Sequence, residues 1–218
     1  MNELQKMGEA QTSRPRGLRE RNRESRHRRI LDCATALFRA RGYDAVKIEE
    51  IAEAAELSVG TIYNYYKNKG DILVAIVAME VNDVLATGAR ILAAPPRDAR
   101  KAVESLVVGY IDHSLTYLTK EMWRQAMAIA IAQATSPSGK VYADLDAALS
   151  QQTIDLLKRL IGMGALPRTV DAAPIGELLF NAVNNAFVTF VKDDAQSLPD
   201  LKTILRRQIR ALVATLQA

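Results

Sequence analysis

The sequence predicts an all-α protein of about nine helices, with a short three-helix unit at the N-terminus and a larger helical body behind it. Three observations carry this. From about residue 24 onward, apolar residues recur three and four apart, the spacing of one helix face. No segment alternates apolar and polar residues with period two for long enough to argue for a sheet. Clusters of Pro, Gly and Ser separate the periodic segments.

Residues 1–22 lack this periodicity and read as a flexible basic arm. Ile30, Ala34, Leu37 and Phe38 then form one apolar stripe, and Gly42 is a natural stop for that helix. Cys33 recurs with Ile30 and Leu37 on the same face and reads as a buried, inert thiol. A second, short helix follows at Ile48, Ile51, Ala52 and Ala55. A third carries Val59, Ile62, Tyr63 and Tyr66, with Ser58 placed to cap its free backbone N–H groups. Only two or three residues around Glu56-Leu57 separate these two. Two short helices across so tight a turn are the signature of a helix-turn-helix, and residues 23–70 are taken as that unit.

Residues 71–218 form the body. A long helix from Asp71 turns Ile72, Leu73, Ile76 and Val77 inward and ends before Ala94-Pro95-Pro96, where two prolines remove donors and clash with the preceding turn. Further helices are expected near 98–118, 121–134, 139–163, 172–191 and 199–216. Ser197 and Asp200, at capping-box spacing, mark the start of the last.

Charge distribution says more than the net +4. Residues 1–70 hold 14 Lys and Arg against 10 Asp and Glu, whereas residues 71–218 hold 15 of each. Eight arginines lie within residues 14–29. A basic segment beside a neutral body fits a polyanion partner for that segment alone, and a solvated tail equally. Arg14-Pro15-Arg16-Gly17 partly resembles minor-groove arginine hooks, although Leu18 stands where another Arg would continue one. No apolar run approaches the roughly 18 residues of a membrane span. The N-terminus has no secretory h-region, and a single cysteine agrees with a reducing, cytoplasmic setting.

At residues 30–73 the pattern becomes specific. Ile30-Leu31-Asp32-Cys33-Ala34, Leu37-Phe38, Gly42-Tyr43 and Ile48 to Ala55 lead into Leu57-Ser58-Val59-Gly60-Thr61-Ile62-Tyr63-Asn64-Tyr65-Tyr66, Lys67-Asn68-Lys69 and Asp71-Ile72-Leu73. In order and spacing this resembles the tetracycline-repressor (TetR) family over roughly 45 residues. Chemistry gives each residue a part. Gly60 lets the recognition helix approach the duplex closely, and the helix N-terminus at Ser58 favours phosphate. Tyr63 and Tyr65 have hydroxyls that can reach phosphate or sugar. Thr61 and Asn64 offer polar tips to base edges, and Val59 an apolar contact to thymine methyl. Lys69 is expected to clamp backbone phosphate. Three positions depart from the family pattern: Val46 where a capping Thr is common, Lys47 in place of a phosphate-binding Ser or Thr, and Glu56 at a turn position often held by Gly.

The resemblance implies that the body holds a small-molecule pocket and that its last two helices pair with a second copy. Tyr110, His113, Ser114, Tyr117, Trp123, Met127 and Gln133 are the pocket candidates, since Met and Trp among alanines suit a cavity wall and ordinary helix packing alike. For the dimer, Phe180, Asn184, Phe187, Val188 and Val191 make one broad apolar face and Leu205, Ile209 and Leu212 another. Asp112-His113-Ser114 cannot act as a relay, because neighbours on a helix point about 100° apart. No metal set, nucleotide-binding fingerprint or GxSxG elbow is present, so neither a cofactor nor catalysis is expected. The reading is therefore a dimeric DNA-binding transcription regulator, most simply a repressor released from a pseudo-palindromic operator by a small molecule. A DNA-binding dimer without such an effector, and a helical enzyme with a vestigial DNA-binding motif, are the alternatives.

Overall fold

The computed structural model describes residues 17–218, which form nine α-helices and, among the described residues, no strand. They are α1 (Leu18–Arg41), α2 (Ile48–Ala54), α3 (Val59–Tyr63), α4 (Lys69–Ala93), α5 (Ala99–His113), α6 (Lys120–Ala132), α7 (Pro137–Gly162), α8 (Ala172–Lys192) and α9 (Leu198–Gln217). The arm expected over residues 1–22 is shortened by this. Leu18 to Asn22 are the first turns of α1, and the Arg14-Pro15-Arg16 hook lies outside the described residues. Arginine is a good helix former, and local propensity extends α1 without any apolar face to bury there.

Capping explains most boundaries. Ser58, Asn68, Asp98, Thr119, Ser136, Asp171 and Ser197 each accept a hydrogen bond from a backbone N–H in the first turn of their helix. Ser136-Pro137-Ser138-Gly139, expected as a break, instead starts α7. Pro137 occupies the first turn, where its missing N–H costs nothing. Helix α5 ends five residues earlier than expected, because Ser114 Oγ turns back to Ile111 O and Trp123 Nε1 takes the Ser114 carbonyl. Helix α2 begins without Asp44. The Glu50 carboxylate accepts from Lys47 N–H at 2.8 Å and is itself held by Arg41 at 2.6 Å. Glu56 does adopt a left-handed backbone, with φ of 52°.

Helix α4 runs through the middle of the molecule and packs on α1, α5, α6 and α7. Helix α8 covers α7, and α9 closes over α5. One continuous apolar core reaches from Ile30 and Phe38 in the N-terminal helices through Ile72, Leu106 and Leu157 to Phe190 and Ile209. By length and composition α4 is apolar enough to cross a membrane, contrary to the expectation from unbroken runs. Its apolar residues Ile72, Leu73, Ile76 and Val77 are instead covered by the chain's own helices.

Helices α7 and α8 approach most closely at Gly176, where an added Cβ would stand 2.9 Å from the Ile154 Cα. Backbone cannot yield there as a side-chain tip can. Gly176→Ala is therefore expected to destabilise the fold by about 1–3 kcal/mol despite alanine's better helix propensity. Urea denaturation followed by circular dichroism reads this directly.

Candidate DNA-reading head and effector cavity

Helices α1 to α3 and the first turn of α4 form a compact head. Within it, α3 is only five residues long and is held by buried Ile62, which shares the common core with Ile51 of α2. Ser58 Oγ receives the Thr61 N–H at 3.1 Å and lies 2.8 Å from the Thr61 hydroxyl. Tyr63 is 50% exposed. Ser58, Gly60 and Asn64 are exposed too, while Val59 and Thr61 are half-buried. Around Gly60 an added Cβ would meet nothing nearer than Ser58 Oγ at 3.9 Å, so the surface is open to a large partner. Lys47 is exposed at the start of α2. Six arginines, from Arg19 to Arg29, are exposed around the first turns of α1 and belong to a helix rather than to an arm.

Two residues expected at phosphate are committed elsewhere. Lys69 Nζ donates to three carbonyls of the α1–α2 connection, Tyr43 at 2.7 Å, Val46 at 2.9 Å and Asp44 at 3.2 Å. It also stands 4.3 Å over the Tyr43 ring. An ammonium has three protons, and here all three have protein acceptors. Lys69 thus ties the head together instead of reaching for DNA. Tyr65 turns toward α1, against the His27 ring, and its hydroxyl donates to Arg23 O. Tyr63 alone of the pair faces outward.

The head is bolted to the body at several points. Arg39 Nη1 donates to the Leu115 and Thr116 carbonyls, and Tyr43 N–H to the Glu121 carboxylate. Asp71, whose N–H is capped by Asn68, accepts from Lys67 N–H and from Ser138 Oγ at the start of α7. Gly70 is pressed against Ile129 of α6.

Further along α4 the body holds a partly open cavity of about 80 Å³, smaller than a drug-sized site. Val77, Glu80, Val81 and Val84 of α4 form one wall. Tyr142, Leu145, Asp146 and Leu149 of α7 form another at the same helical spacing. Of the sequence candidates, Tyr110, Ser114, Trp123 and Met127 line it. His113 sits behind it, with Nδ1 2.6 Å from Glu80 Oε1, and Tyr117 bonds to Asp83 outside it. Gln133 is exposed at the end of α6.

The expected dimer faces prove to be mostly interior. Phe180, Asn184 and Phe187 line the cavity, with Phe187 edge-on to Trp123 at 5.1 Å. Val191, Leu205 and Ile209 are buried within the protomer, while Val188 and Leu212 are half-buried. Periodicity finds the stripe that faces a helix's own core, and by itself does not tell that stripe from an outer face. The apolar residues that α8 presents outward at its middle are Leu178, 62% exposed, and Ala182, with Asn181 and Asn185 beside them.

Sequence reasoning missed Asp146, although one carboxylate inside an otherwise apolar i, i+3, i+4, i+7 stripe was a usable signal. Burial alone pushes its carboxyl up to about 6, since no described protein group donates to it. Glu80 is likewise raised by burial, opposed by His113 and by the Tyr117 N–H.

The sequence signature described as bacterial regulatory proteins, tetR family, matches residues 30–76. Over 65 residues the chain is 38% identical to the transcriptional repressor KstR of Rhodococcus jostii, covering 30% of this chain and 31% of that protein. The chain thus spans about a third of the length of that relative. A fatty acid metabolism regulator protein of Bacillus subtilis aligns over 80% of this chain and 88% of its own length at 23% identity. Among solved structures, the TetR-family repressor FadR of Thermus thermophilus, in complex with lauroyl-CoA, superposes with a TM-score of 0.62. That match has 22% identity and covers 86% of this chain and 93% of that one.

Three outcomes follow from these sites. Lys69→Ala should lower stability by about 1–3 kcal/mol, the cost of stranding partly buried carbonyls, and weaken DNA binding without changing the slope of log K against log salt. Lys47→Ala should reduce that slope by about 0.9, one phosphate contact. Salt-titrated fluorescence anisotropy with thermal melts separates the two. Asp146 makes the opposite contribution to stability from that of a paired carboxylate. Its folded value of about 6 lies above the unfolded 3.8, so the penalty is absent below the unfolded value, grows as pH rises, and is complete above about 6. Asp146→Asn should therefore melt higher than the parent at pH ~7.5, with the gap closing at acid pH.

Proposed function

Because the chain belongs to the TetR family of bacterial regulatory proteins, we propose that it is a ligand-responsive, DNA-binding transcriptional regulator, acting in the cytoplasm as a homodimer. In this reading each protomer lays α3 in a major groove of a pseudo-palindromic site. Two copies meet through the outward face of α8 at Leu178 and Ala182, where the small alanine allows close approach. Residues 23–70 serve as the reading head and residues 71–218 as the sensing and pairing body.

One observation carries the reading. Tyr63 and Asn64 stand exposed, with Thr61 half-buried beside them, on a head whose last element, α4, continues unbroken into the wall of the cavity. Anything that displaces Val77, Glu80 or Val84 displaces the helix that Lys69 and Asp71 fasten to the head and to α7. Ligand then shifts the population of dimers whose two heads match the groove spacing, to the extent that it prefers one form over the other. Release of a repressor is the simplest such outcome. That a fold neighbour is a repressor found in complex with lauroyl-CoA supports an effector-controlled reading.

Selection of duplexes from a random pool, followed by anisotropy titrations, tests this. A palindromic consensus with two half-sites is expected. Thr61→Ala and Asn64→Ala should relax preference at particular base pairs by about 1–3 kcal/mol, and Tyr63→Ala should weaken all duplexes alike. A protein that enriches no sequence from the pool would remove the reading.

A further inference from the structure

We propose that the cavity between α4, α7 and α8 selects a compact hydrophobic amine, whose protonated nitrogen pairs with the Asp146 carboxylate. This rests on reading the cavity as the effector site, and it names the chemistry that site accepts.

Most polar groups of the wall are already spoken for. Tyr110 donates its hydroxyl to Gln152 at 2.7 Å, and the Ser114 hydroxyl goes to Ile111 O. Trp123 Nε1 is bonded to Ser114 O at 2.6 Å. Glu80 accepts from His113 through one oxygen and from the Tyr117 N–H through the other. Each of these groups enters the cavity wall with hydrogen bonds to the protein in place. Tyr142, Asn184 and Asp146 have no such bond among the described residues, and of these three only Asp146 is a carboxyl. It is half-buried, it lines the cavity, and no described group of the protein donates to it or pairs with it. A carboxyl so placed without a donor leaves a site that a ligand donor can complete.

Charge narrows the choice. No Lys, Arg or His is among the residues lining the cavity, and two of the lining residues are acids. A fatty acid or an acyl phosphate ester would bring a further negative charge beside Asp146 with no cation to receive it. A protonated amine supplies what is missing, a positive charge with several donors. The rest of the wall suits its hydrophobic part. Trp123, Tyr142, Phe180 and Phe187 present aromatic surface, which also attracts cations. A space of about 80 Å³ favours a single ring or a short chain over an extended acyl tail.

Full-length protein titrated by calorimetry at pH ~7.5 with phenethylamine, phenethyl alcohol, phenylpropanoate and lauroyl-CoA tests the proposal. The amine should bind about tenfold or more tightly than the alcohol, as expected at the lower end for close charge pairs. The two anions should bind more weakly than either. In Asp146→Asn, which keeps the shape of the side chain, the amine's advantage over the alcohol should fall to within about twofold. Comparable binding of either anion, or an amine preference that survives Asp146→Asn, overturns the proposal. Alcohol binding with no preference for the amine overturns it while sparing the effector cavity. Failure of all four probes to bind removes both the amine and the cavity's role as an effector site.

Discussion

An α-helix cannot be bent sharply without breaking its hydrogen bonds, and α4 puts that stiffness to two tasks at once. Its 25 residues reach about 37 Å, at about 1.5 Å for each residue. The first turn belongs to the head, where Lys69 gathers three loop carbonyls and Asp71 meets Ser138 of α7. Two turns later the same helix supplies Val77, Glu80, Val81 and Val84 to the cavity. A rigid rod with its ends in two sites cannot move at one end alone. The bonds of Arg39 to the α5–α6 connection, and of Tyr43 to Glu121, extend this coupling to α6.

Electrostatics divide along the same line. Most of the chain's excess positive charge lies in the head, where the α1 arginines are exposed, so it acts at long range and is screened by salt. The body is neutral in sum but holds two carboxyls at a cavity wall, Glu80 buried and Asp146 half-buried. Glu80 is compensated by His113, and Asp146 by no described group. A surface field suits a polyanion approached from solution. An isolated carboxyl in an apolar wall suits a small partner that must shed its own water to enter.

The head was largely legible because its caps, turn and short helices follow from particular residues in a fixed order. Ser58 caps α3 and Glu56 carries the unusual backbone its position demanded, while Gly60, Tyr63 and Asn64 are exposed and Thr61 is half-buried beside them. Lys69 and Tyr65 depart from expectation for one shared reason. Both carry long polar side chains, and sequence cannot say whether such a group finds its partner in DNA or a few ångströms away in the protein. The same limit governed the body. Phe180, Asn184 and Phe187 share a face with Val191, but that face meets a cavity and the protomer's own core.

What the sequence alone determined was local. Periodicity set nine helices, Ser, Asp, Asn and Thr caps set where most of them begin, and prolines set where α4 must end. These depend on residues within a turn or two of each other, and adjacency in the chain guarantees that they meet. Tertiary structure decided which of two plausible partners each long polar group took and which side of α8 faces inward. It also brought Asp146, more than sixty residues from Glu80, into the same small space. Those outcomes depend on how distant helices pack, and periodicity marks a helix's apolar face without naming what will cover it.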